Sequence, residues 1–111
     1  MFFRYFYKEN KYFWHHLALA ALGSVGLLWY GITDQKTFLY LLALAIVFEF
    51  IQYFLKGWLK HSPPPEMKIE YGTSAYEYWQ KKIFWLDSYG DIFAAVLGVL
   101  IIVIPYNWIF V

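Results

Sequence analysis

Three long apolar runs, each nearly free of charge, constrain this chain more than any other feature of its sequence. They cover about Phe13–Ile32, Thr37–Trp58 and Ser88–Ile104, the last extendable through Trp108 toward Phe110. A helix crosses the hydrocarbon of a bilayer with about 20 mostly apolar residues. The composition agrees: 61% of the residues are hydrophobic, 25% aromatic and 15% charged, where a soluble domain carries about 25% charged residues. A water-soluble chain of 111 residues has too little interior to hide so much apolar surface. The expectation is a single all-α integral membrane domain, residues 1–111, with three transmembrane helices at about 13–32, 37–58 and 88–108.

The flanking segments extend this picture. Arg4, Lys8 and Lys11 recur at helical spacing among aromatic residues, as in a segment lying at the headgroups or an aromatic belt before the first span. The basic lead and apolar run also resemble a secretory leader, but Trp29 and Tyr30 stand where a small-residue cleavage site belongs, which favours a retained helix. The second run is entered through a Thr33/Asp34 helix-start signal. Residues 59–87 form the long polar connection, broken by Ser62-Pro63-Pro64-Pro65. Ser74-x-x-Glu77 reads as a capping box. It opens an amphipathic helix with Tyr76, Trp79, Ile83 and Leu86 on one side. Interfacial helices are therefore expected at the N-terminus and between the second and third spans. Pro105 predicts a kink or stop in the third.

Lys and Arg set an orientation. Arg4, Lys8, Lys11, Lys56, Lys60, Lys68, Lys81 and Lys82 fall on one side of the three runs, and Lys36 alone on the other. The positive-inside rule puts the N-terminus and long loop in the cytoplasm and the C-terminus outside, as in a bacterial-type inner membrane. Small residues (Ala20, Gly23, Ser24 and Gly26 in the first run, Ala94, Ala95 and Gly98 in the third) suit close helix packing in lipid.

The polar residues inside the runs carry the functional information. Glu49 costs a few kcal/mol in a span and is a functional hypothesis by default. Gln52 and Lys56 continue its helical face, and Asp87 and Asp91 share another, with Ser88 beside them. With His15 and His16, all lie toward the cytoplasmic end. Each also has a structural explanation: Glu49 as a hydrogen-bonding helix contact, Lys56 as a snorkelling cation, Asp87 and Asp91 as helix-start residues. Carboxylates with histidine can hold a divalent ion. However, HExxH-type spacing is missing and adjacent histidines point to different sides of a helix. No metal and no cofactor is expected. The absence of cysteine excludes thiol chemistry and disulfides. No Gly-rich phosphate loop or dense basic patch points to nucleotides or nucleic acid.

Glu49-x-x-Gln52, followed by Ser88-x-x-Asp91-x-x-x-Ala95-x-x-Gly98, resembles the VanZ-like family of small polytopic membrane proteins. Its pattern is Glu-x-x-Gln late in one span and Ser-x-x-Asp-x-x-x-Asn-x-x-Gly in the next. This chain has Ala95 where the pattern has Asn, a longer segment between the halves with no Arg in it, and three runs rather than four or more. The resemblance implies action on lipid headgroups or lipid-linked intermediates. Glu49 and Asp91 would be the acid/base or headgroup-binding pair, and Gln52 and Ser88 their hydrogen-bonding partners. Lys56 and Asp87 complete the substrate-binding candidates. The partners expected are membrane lipid and further membrane helices, from a homo-oligomer or other subunits. The competing reading is a non-enzymatic pore, holin-like protein or small subunit of a larger membrane complex.

Overall fold

The computed structural model describes residues 4–110. Phe2 and Phe3, which belong to the predicted interfacial segment, lie outside the described residues. Every regular element among the described residues is helical. A π-helical turn, Arg4–Lys8, leads to α1 (Phe13–Tyr30), α2 (Asp34–Phe54) and α3 (Ser74–Phe110), with 3₁₀ turns at Gly57–Lys60 and Pro65–Met67.

Local chemistry explains the boundaries. Gly31 takes the left-handed conformation that ends α1, with φ 102°, and its N–H donates to the Leu28 carbonyl at 3.1 Å. Thr33 caps α2 as expected: its hydroxyl accepts from the Lys36 N–H at 3.3 Å. Asp34 sits in the first turn, where a negative charge meets the positive helix end. At the start of α3, the hydroxyl of Thr73, rather than Ser74, accepts from the Tyr76 N–H at 3.2 Å. The predicted cap is therefore displaced by one residue.

α3 runs on through two places where the sequence allowed it to end. The surface helix and the third apolar run are one helix of 37 residues, because no proline separates Ser74 from Ile104. At 1.5 Å per residue it extends about 55 Å, more than a bilayer core of about 30 Å requires. It defines the long axis of a body measuring 56 × 24 × 16 Å. α3 also continues through Pro105 to Phe110; proline removes a single hydrogen bond, which a surrounding apolar helix tolerates. At the N-terminus a five-residue π turn stands in place of an amphipathic helix. α2 and α3 are long and apolar enough to cross a membrane.

The core lies where α1, α2 and α3 meet. It is built of small side chains: Ala20, Ala95 and Val99, with Leu41, Ala45 and Val103 against them. A Cβ on Gly98 would strike the Leu17 carbonyl and Ala20, so the α1 and α3 backbones approach closely there, as the small-residue pattern suggested. Large apolar residues face outward instead: Leu22 and Trp29 on α1, Leu44 and Phe54 on α2, Ile101 and Trp108 on α3. At the far end, the Asn107 amide donates to Asp34 at 2.7 Å and ties α3 to the start of α2.

The proline loop folds back on the bundle. Pro63 and Pro64 are buried, and the buried Gln80 amide donates to the His61 carbonyl at 3.0 Å. Arg4 pairs with Glu9 and with Glu66, joining the N-terminal turn to this loop. Tyr53, Phe84 and Trp85 pack as an aromatic cluster between α2 and α3.

Candidate functional site

Three helices contribute one polar side chain each to a common point. Glu49 descends from α2 and is 3% exposed. Asp91 lies on α3 and is 5% exposed. His16 comes from the first turns of α1 and is half-buried. One ligand-capable atom from each lies within 4.8 Å of the others. The His16 Nε2 stands 3.5 Å from Asp91 Oδ2.

The second polar layer fixes both carboxylates. Ser88, fully buried, donates its hydroxyl proton to Glu49 Oε2 at 2.8 Å. Asn10, buried although it precedes α1, donates to Asp91 Oδ1 at 2.9 Å. The same amide reaches the carbonyls of Phe6 and Asp87. The N-terminal segment can approach α3 this closely because residue 90 is glycine: a Cβ there would strike the Phe6 carbonyl and the Asn10 amide.

Gln52 and Asp87 border the site. With His16, Asp91, Lys11 and Lys60 they line a polar cavity of about 270 Å³. A more open cavity of about 530 Å³ shares Lys11, Lys60 and Asp87 and adds Arg4 and Lys8. Burial, helped by the neighbouring Lys60 charge, pushes the pKa of the His61 imidazole down. The hydrogen bonds that Arg4 donates to Glu9 and Glu66 hold its guanidinium more firmly protonated. On the other side of His16 runs an apolar groove of about 280 Å³ lined by Leu19, Leu41, Leu44, Phe48 and Ala95.

Comparison with protein-family models, with curated proteins and with solved structures finds no match.

The site candidates from sequence are thus distributed unevenly. Glu49, Ser88 and Asp91 converge, and Gln52 and Asp87 line the adjoining cavity. Lys56 does not share their face: α2 ends at Phe54, and Lys56 is exposed in a left-handed turn with φ 61°. Gly57 follows it so closely on the Gln52 carbonyl that an added Cβ would stand 2.8 Å away. His15 is exposed and packs on Tyr12, so the two histidines do separate. Sequence reasoning missed Asn10 and Gly90 and did not single out His16 from His15. A lone amide among aromatic and basic residues was the available signal for Asn10.

Proposed function

We propose that this chain is a three-span integral membrane protein that binds, and through Glu49 and Asp91 can process, an anionic lipid headgroup at the cytoplasmic leaflet. The observation that carries this reading is the arrangement around His16: a polar cavity lined by Lys11 and Lys60 together with Glu9, Asp87 and Asp91 on one side and an apolar groove on the other. The two lysines can hold a headgroup phosphate, the carboxylates its hydroxyl groups, and the groove an acyl chain. The outward placement of large apolar residues around a small-residue core supports lipid as the solvent of this bundle. α1 has 18 residues, about 27 Å at helical rise, which suits a third crossing with snorkelling flanks. The N-terminal half of α3 then rests at the headgroups, where Lys81 lies over Trp58 and Lys82 over Trp79.

The resemblance to the VanZ-like pattern is consistent with this reading. Ala95, where that pattern has Asn, lines the apolar groove, and a carboxamide reaches Asp91 from Asn10 instead. A pore reading has less to draw on. Glu49 is turned into its own chain toward Ser88, and so is unavailable to line an axis between copies.

Native mass spectrometry of the full chain in detergent tests the proposal, with phosphatidylglycerol and phosphatidylcholine of identical acyl chains as competitors. Both headgroups carry a phosphate, but the choline cation of phosphatidylcholine offsets its charge and is repelled by Lys11 and Lys60, which corresponds to a preference of about tenfold for the anionic lipid. A Lys11→Ala/Lys60→Ala variant should lose that preference, and Ala45→Phe, which fills the groove, should weaken retention of both lipids. Equal retention of the two lipids by the wild type, or a preference unchanged in both variants, would overturn it.

A further inference from the structure

We infer that His16, Glu49 and Asp91 form a binding site for one divalent first-row transition-metal ion. The inference deepens the reading of this same site, but it stands on the ligand geometry and not on lipid binding.

The donor set favours such an ion. One imidazole nitrogen and two carboxylate oxygens suit zinc, manganese, iron or cobalt, whereas magnesium and calcium prefer oxygen alone. Ligand atoms around a four-coordinate ion with bonds of about 2.1 Å stand about 3.4 Å apart. The His16–Asp91 separation of 3.5 Å already meets that spacing. All three ligand atoms lie within 4.8 Å of one another, so side-chain rotation would have to draw the set together by little more than an ångström.

Charge points the same way. Among the described residues, the one ion pair made by either carboxylate is that with His16. Neither carboxylate has a Lys or Arg partner among the described residues; a divalent cation entering the site would displace carboxyl protons and balance the charge of its own ligands.

The surroundings resemble the outer layer of a metal site, in which hydrogen bonds orient the ligands. Ser88 holds one oxygen of Glu49 and Asn10 holds one oxygen of Asp91. Asp91 Oδ2, which faces His16, and the second oxygen of Glu49 would bind the ion, the hydrogen bond between the two carboxyl groups giving up its proton as the ion enters. Three protein ligands leave a coordination position open, and the polar cavity bordered by His16 and Asp91 gives water or a phosphate oxygen access to it. That is the ligand count of catalytic rather than structural zinc sites. Short ligand spacings are absent because each ligand comes from a different helix.

The test uses the full chain in detergent, stripped with chelator, dialysed, freed of lipid and titrated with Co²⁺ and then Zn²⁺. The wild type should bind one Co²⁺ per chain with visible d–d absorption, which Zn²⁺ displaces. His16→Gln, Glu49→Gln and Asp91→Asn should each weaken binding by about tenfold or more, with circular dichroism reporting that the helices persist. His15→Gln should bind as the wild type does. Should any ligand variant unfold, Ser88→Ala provides the second reading, with intermediate weakening. Absence of saturable Co²⁺ binding by the folded wild type would overturn the inference, as would wild-type affinity in folded ligand variants or equal loss in His15→Gln and His16→Gln. Lipid retention is measured in chelator, so failure of metal binding and failure of headgroup binding are separate results.

Discussion

Gly90→Ala tests whether the N-terminal segment belongs to the site. The added Cβ would meet the Phe6 carbonyl and the Asn10 amide. Backbone atoms cannot rotate aside, so the segment must move away from α3. That displacement breaks the Asn10–Asp91 hydrogen bond of 2.9 Å and separates the Phe6 and Phe93 rings, now 5.2 Å apart. A hydrogen bond to a charged group contributes about 1.5–3 kcal/mol and an aromatic pair about 0.5–1.5 kcal/mol. Alanine returns up to about 1 kcal/mol of helix propensity. The net destabilisation should be about 1–4 kcal/mol. Gly26→Ala is the control, since its Cβ would meet nothing within 4 Å; it should be neutral or stabilise by up to about 1 kcal/mol. Chemical unfolding in detergent measures the difference, and chymotrypsin cleavage at Tyr5 and Tyr7 reports release of the segment. A Gly90→Ala protein as stable and as protected as the wild type would show that the N-terminal segment does not rest on α3 at residue 90.

Other expectations follow from single contacts. Gly98→Leu should separate α1 from α3 and cost about 1–3 kcal/mol or more, read by the same unfolding assay. The buried Thr37 hydroxyl has no hydrogen-bond partner among the described residues, so Thr37→Val should leave stability unchanged or raise it by up to about 1–3 kcal/mol. His61 has a folded pKa below its ordinary value of 6.5. Its contribution to stability is therefore complete above that value and is lost as pH falls through the lowered folded pKa. Thermal unfolding between neutral and acidic pH should show a smaller acid loss in His61→Asn than in the wild type.

Periodicity and apolar length made the helices legible. Gly31 and Thr33 mark a turn by their own chemistry, and the structure follows them. Glu49, Ser88 and Asp91 stood out because polar residues in apolar runs need a physical reason. The extent of α3 was not legible, since a polar stretch and a proline both resemble boundaries. In α3, favourable helix continuation outweighs the one hydrogen bond that Pro105 removes. Lys56 was misplaced because the helical face was extended past Phe54, where the chain turns. Asn10 and His16 depend on contacts between distant parts of the chain, and Gly90 acquires its role from the segment that crosses it. Spacing along one helix contains neither fact.

The proposed topology is a three-span bundle whose polar site faces the cytoplasm. The chain has no cysteine, so single cysteines can be introduced without background. Lys36→Cys and Lys68→Cys, expressed in bacterial cells and treated with a membrane-impermeant maleimide, read the two connections directly. Lys36→Cys should label in intact cells, and Lys68→Cys only after permeabilisation. Labelling of both in intact cells, or of Lys68→Cys alone, would rule out this topology.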